Sequence, residues 1–161
     1  MSVEIEFPLE FVVAGTPVSH QAKRRESLDQ WKDRVVEASR TILPEGHFAT
    51  DDPLAITLYY FPDSEMQGDI DNIVKPILDA LGRHIYIDDR QIQRILVQKF
   101  EPGSVFSLRG LPLFWGTLWS SQNRLSTFVC LTIRSRIWGN GRIISRPRKG
   151  FPPNPRTGLR G

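Results

Sequence analysis

Two rhythms of apolar residues run along this chain. Stretches of strand character cover Val3 to Ala14, Leu54 to Phe61 and Gln91 to Phe100. Between them a spacing of three and four residues marks two helices. Leu28, Trp31, Val35, Ala38 and Ile42 predict an amphipathic helix over Ser27 to Leu43, with Ser27 as its N-cap and Pro44 just past its end. Ile70, Ile73, Val74, Ile77, Leu78 and Leu81 predict a second over Asp69 to Leu81, stopped by Gly82. Pro76 has no N–H to give to the carbonyl four residues back, so that helix either starts near Asn72 or kinks at the proline. Gly15-Thr16-Pro17 breaks the first strand, His84 to Ile87 reads as a short extended piece, and Asp88-Asp89-Arg90 reads as a turn.

After Pro102-Gly103 the pattern changes. Leu108 to Trp119 is aromatic and Gly-rich, Thr127 to Ile133 has strand character, and Ser145 to Gly161 has the Arg/Pro/Gly composition of a disordered segment. The chain therefore divides into a domain over 1–103 and a basic extension over 104–161. At 161 residues and 40% apolar content it has the means for one modest core. No apolar run approaches the length of a membrane span. The N-terminus MSVEIEFPLEFVV carries acids where a secretory signal carries lysines. One cysteine, Cys130, makes neither an internal disulfide nor a zinc site, which fits a reducing, cytoplasmic location.

The formal net charge of +3 conceals a division. All 18 acids lie in the first 101 residues, with 11 of the 21 basic groups, and the other ten, nine of them arginine, lie in the last 60. That division suggests an acidic body with a polyanion-seeking tail; a solvated tail with no partner has the same composition.

The chemistry concentrates between Gly68 and Phe100, where Asp69, Asp71, Asp79, Asp88 and Asp89 surround a single lysine, Lys75. Asp71, Lys75 and Asp79 are spaced by four, one polar face of a helix opposite its isoleucine face. Asp88 and Asp89 follow a short connection that can bring them back toward the start of that helix. Carboxylates gathered this way repel unless a cation joins them, and Mg²⁺ prefers such oxygen ligands. A divalent ion with a lysine beside it suits phosphodiester hydrolysis. Each residue also has an ordinary use: aspartates cap helix starts, Asp71 with Lys75 makes a surface pair, and Asp88-Asp89-Arg90 makes a turn. The loop of His20, Gln21, Lys23, Arg24 and Arg25 has the character of a phosphate-contacting segment or of a solvated one. The three histidines are scattered, which argues against a histidine metal site or general base, and Trp31 lies in an apolar stripe, which argues for core.

The segment from Asp69 to Leu81, read as D-x-D-N-x-x-K-P-x-x-D-A-L, followed by D-D-x-Q-I at Asp88 to Ile92, resembles the RusA family of Holliday junction resolvases. The likeness covers roughly 8–103 and includes the Gly15-Thr16-Pro17-Val18-Ser19 loop. It implies a small α+β domain of two layers, a mixed β-sheet packed with two main helices. It also implies a homodimer, Mg²⁺ dependence and paired nicks across a four-way junction in DNA recombination and repair. Carried onto this chain, the metal-binding carboxylates are Asp69, Asp71 and Asp89 and the catalytic lysine is Lys75, with Asp79 and Asp88 as supporting acids. Two uniform sites suit a symmetric junction.

The segment over 104–161 departs from that family, because it holds no carboxylate. It reads either as a DNA-binding extension or as sequence in a shifted frame after about Leu108, which would leave the sheet without its last strand. Two functions compete with the nuclease: a non-catalytic branched-DNA-binding protein whose acids only cap helices, and an inactive fragment with an altered C-terminus.

Overall fold

Leu54–Phe61 alternates between the two faces of a sheet, and the residues that reach either face are buried along most of its length. The computed structural model describes residues 3–19, 24–65, 69–103, 127–135, 137–139 and 142–144. In chain order they form β1 (Leu9–Ala14), α1 (Arg25–Arg40), β2 (Leu54–Phe61) and α2 (Asp71–Leu81). A single 3-10 turn (Asp89–Gln91), β3 (Ile92–Lys99), β4 (Phe128–Ser135) and a small hairpin, β5 (Ile137–Gly139) with β6 (Arg142–Ile144), complete them. The main sheet has the order β1-β4-β2-β3. β2 and β3 are parallel and joined through α2, as parallel neighbours require a crossover, and β4 runs antiparallel to both β1 and β2. This is the expected α+β class, a mixed sheet with two helices.

The principal core lies between helices and sheet. Trp31 and Val35 of α1 and Ile73, Ile77 and Leu81 of α2 share one cluster with Leu9, Phe11 and Val13 of β1, Ile56 and Leu58 of β2 and Leu131 and Ile133 of β4. A second cluster joins Phe61, Phe128 and Cys130, side chains of the opposite parity on β2 and β4, with Phe100 just past β3. There Phe61 stacks on both Phe100 and Phe128, with ring centroids 4.8 Å apart in each pair.

The element bounds differ from expectation where local chemistry outweighs periodicity. β1 begins at Leu9, because Pro8 has no N–H for a ladder; Val3 makes only an isolated bridge, to His47. It ends at Gly15, whose φ of 111° places the chain where an L side chain is strained and where a Cβ would lie 2.7 Å from Nη1 of Arg34. α1 starts two residues before Ser27, with Arg24 as an N-cap that makes no side-chain bond, and stops at Arg40. Ile42, expected in its apolar stripe, is therefore exposed, and Ser39 completes the buried row with Trp31 and Val35. α2 runs through Pro76 from Asp71, two residues later than expected. Gly82 ends it as expected, but in an extended conformation, and the positive φ of 64° falls on Arg83.

The largest difference concerns the tail. Thr127–Ile133, a strand by sequence, belongs to β4, which lies between β1 and β2 with six consecutive buried residues from Phe128 to Ile133. β4 thus lies beyond residue 103 and is a strand of the main sheet. Leu108 to Trp119 and Ser145 to Gly161 lie outside the described residues.

Two consequences are measurable. Leu131→Ala, which opens a cavity beneath both helices, is expected to cost about 2–5 kcal/mol in urea unfolding. A 1–103 fragment, deprived of the strand that pairs β1 and β2, is expected to show no cooperative transition by circular dichroism. A fragment that melts sharply with native-like spectra contradicts the placement of β4.

Candidate active site

The polar face of α2 follows from the burial of the other face. Ile73, Ile77, Leu78 and Leu81 are buried, so Asp71, Lys75 and Asp79 point to solvent one turn apart. Asp69 is exposed immediately before the helix, and Asp71 in its first turn is favoured by the positive end of the helix dipole. The connection after α2 then returns the chain. Tyr86 is fully buried, its hydroxyl donates to the Leu78 carbonyl at 2.7 Å, and the turn bearing Asp88 and Asp89 follows three residues from Ile85, another core residue.

Lys75 joins the two segments. Its Nζ lies 2.7 Å from Oδ1 of Asp79 and 3.2 Å from Oδ2 of Asp89. The other oxygen of Asp79 is 3.2 Å from Nζ of Lys32 on α1, so a chain of four charges runs from α1 across α2 to the turn. The bond to Asp79, followed by that to Asp89, holds the Lys75 ammonium above its ordinary range. Partial burial works against ionisation of Asp79, but the bonds from Lys75 and Lys32 outweigh it and bring the carboxyl below its ordinary value. Burial pushes the Tyr86 hydroxyl strongly upward, and the nearby Asp89 carboxylate adds to the effect.

Asp88 has a different arrangement. Its Oδ1 accepts from the N–H of Arg90 at 2.8 Å, and with Gln91 it forms a capping box over the 3-10 turn. Of the expected residues, then, Lys75, Asp79 and Asp89 are in contact, Asp88 caps the turn, and Asp69 and Asp71 are at the exposed start of the helix. Among the described residues no group of three or more His, Cys, Asp or Glu side chains is close enough to hold a metal ion. The donors of Asp69, Asp71 and Asp89 are carboxylate oxygens open to water, the chemistry a hard divalent cation prefers. Lys75 supplies positive charge to one of them, Asp89.

Of the basic loop, Arg24 occupies the N-cap position of α1 and Arg25 is its first residue, both exposed, whereas His20, Gln21 and Lys23 lie outside the described residues. His47 and His84 stand apart from the acids, rings 5.0 Å apart, and Ser39 Oγ is 3.0 Å from His84 Nε2. Trp31 is core, as expected. Cys130 is buried, and burial pushes its thiol upward. No helix among the described residues is long and apolar enough to cross a membrane.

Sequence periodicity did not reveal Lys32. It is 47 residues from Asp79, and only the crossing of α1 over α2 brings them together. Tyr86 carried a weak signal, as an aromatic in a short extended piece next to two acids.

The charge chain predicts a titration. In metal-free buffer the Asp79 carboxyl of the wild type should titrate below its ordinary 3.8 by carbon NMR. In a Lys32→Met, Lys75→Met double variant only burial remains, and the value should rise above 3.8. Because the folded value is depressed, the stability this group adds is present above the unfolded carboxyl range and lost as pH falls through the folded value. An unchanged value in the double variant contradicts the assigned pairing.

Comparison with known proteins adds the family. No curated protein matches the chain. Residues 12–105, more than half of the sequence, match the family described as endodeoxyribonuclease RusA, and that match contains α1, β2, α2 with its charged face, and the turn of Asp88 and Asp89. The chain belongs to the RusA endodeoxyribonuclease family.

Proposed function

We propose that this protein is a Mg²⁺-dependent, structure-selective endodeoxyribonuclease. It resolves Holliday junctions by paired phosphodiester hydrolysis, as a cytoplasmic homodimer in DNA recombination and repair. The observation that carries the reading is Lys75 held between Asp79 and Asp89 on the polar face of α2, in a chain of this family. Asp69, Asp71 and Asp89 are the carboxylates that would hold the cation. At these carboxylates a bound divalent ion would supply Lewis-acid polarisation of the phosphate and a more acidic water.

The chain's own residues have separable tasks. Lys75, kept protonated by its two acids, is a fixed cation for the phosphate's developing charge and is not a proton acceptor. Asp79 is tied to two lysines and so serves to aim Lys75. Asp88 holds the turn on which Asp89 sits. Arg24 and Arg25 at the start of α1, with His20, Gln21 and Lys23 before them, supply phosphate contacts that add affinity and salt dependence without reading sequence. Two copies acting on a symmetric junction account for paired cuts.

Junction cleavage with and without Mg²⁺ tests this directly. The wild type should cut a synthetic four-way junction only with the metal. Asp71→Asn should abolish cutting while junction binding in EDTA persists. Lys75→Met should slow cutting about 10²-fold or more, as loss of a transition-state charge partner does. A wild type that binds junctions but never cuts them is instead a non-catalytic branched-DNA-binding protein.

A further inference from the structure

One side chain next to the site makes an unusual number of bonds and has no part in the chemistry above. Gln91 closes the 3-10 turn. Its Oε1 accepts from the backbone N–H groups of Ile87 at 2.9 Å and Asp88 at 2.8 Å. Its Nε2 donates to the backbone carbonyls of Thr50 at 2.8 Å and Asp52 at 3.0 Å. A primary amide offers two donor hydrogens and two acceptor lone pairs, so all four are engaged. The orientation is thereby fixed: a flipped amide would set its NH₂ against two N–H groups and its oxygen against two carbonyls.

The far end of this clamp is itself held. Thr50 N–H donates to the Ile85 carbonyl at 2.9 Å, and Thr50 Oγ1 accepts from Asp52 N–H at 3.1 Å. Thr50 is buried just before β2, so Gln91 anchors the turn to the root of a central strand, 41 residues away in sequence. Asp89 is the residue after the clamped Asp88 peptide, and Asp89 is the acid that meets Lys75 from outside the helix. A capping glutamine needs only the bond from the N-cap N–H, here that of Asp88. The pair donated by Nε2 ties the turn to the sheet.

We propose that Gln91 is a positioning residue that fixes the Asp88–Asp89 turn against the segment 50–52, and so sets the Asp89 carboxylate for the cation. The proposal rests on the reading of Asp69, Asp71 and Asp89 as the metal ligands. All four bonds of Gln91 go to backbone groups, so it acts through the chain's course and not through another side chain. Groups that orient a ligand from behind typically change metal affinity by about 10–100-fold when removed.

Two variants of the full chain test it. Gln91→Met keeps the length of the side chain and removes all four bonds. Gln91→Glu keeps an oxygen for Ile87 and Asp88 but turns a second oxygen on the carbonyls of Thr50 and Asp52. Amide exchange by NMR, Mn²⁺ calorimetry and the Mg²⁺ dependence of junction cleavage are compared for each. In Gln91→Met the amides of Ile87 and Asp88 should exchange at least about tenfold faster, with those of α2 and β2 unchanged. In both variants the Mn²⁺ Kd should rise about 10–100-fold. The half-saturating Mg²⁺ should rise with it, while the rate at saturating metal returns to near wild type. Wild-type Mn²⁺ affinity in Gln91→Glu, or a lowered rate at saturation with unchanged affinity, overturns the positioning role. Wild-type protein that binds no Mn²⁺ overturns the metal reading itself, a result obtained before either variant is made.

Discussion

Burial of the isoleucine face of α2 is the constraint from which the site follows. Ile73, Ile77 and Leu81 are each at most 2% exposed, and burial of such a side chain contributes about 1.5–3 kcal/mol. A helical surface pair of the Lys75–Asp79 kind is worth only about 0.3–0.5 kcal/mol. Packing therefore decides the rotation of the helix, and the charges take the face that remains. Any rotation that drew Asp71 or Lys75 inward would forfeit several kcal/mol of core for a fraction of one. The same face-setting makes the connection after α2 short and directed, because Leu81, Ile85 and Tyr86 must all enter the core before the chain can turn. Asp89 then arrives at Lys75 as a by-product of that route.

The sequence carried the parts of this that depend on local pattern. The bounds of β2, the two faces of α2 and the grouping of Lys75 with Asp79 were legible, because each needs only a repeat of two or of about four residues. The helix starts were less so: α1 begins on Arg25 rather than after Ser27, and nothing in the arginines at 24 and 25 marks a cap. Arg83 in the left-handed region beside an extended Gly82 reverses the usual preference, set by the bond from Arg83 N–H to the Tyr86 carbonyl. Contacts between distant segments were the least legible. Lys32 with Asp79 and Gln91 with Thr50 depend on how elements cross, which no spacing encodes.

The tail illustrates a different limit. Its composition, without a carboxylate and rich in arginine, speaks for a solvent-facing or nucleic-acid-facing segment. Yet Phe128 to Ile133 is a continuous buried run, apolar except for Thr132, of the kind that central strands use when both faces are covered. Bulk charge is a property of a whole segment and says little about eight residues inside it. The family match ends at residue 105, while the sheet needs a strand that begins at Phe128. Recognised sequence and folding unit thus have different limits in this chain, and α2 shares its core with a strand outside the recognised part.

The proposed nuclease stands or falls on one cation shared by Asp69, Asp71 and Asp89 beside Lys75. Paramagnetic broadening by substoichiometric Mn²⁺, read in carboxyl and backbone NMR signals of the wild type, tests it most directly. The signals of these three aspartates, together with Lys75, should broaden first and in parallel, and excess Mg²⁺ should restore them. Broadening spread evenly over the 18 acids, or centred away from α2 and its following turn, would contradict it.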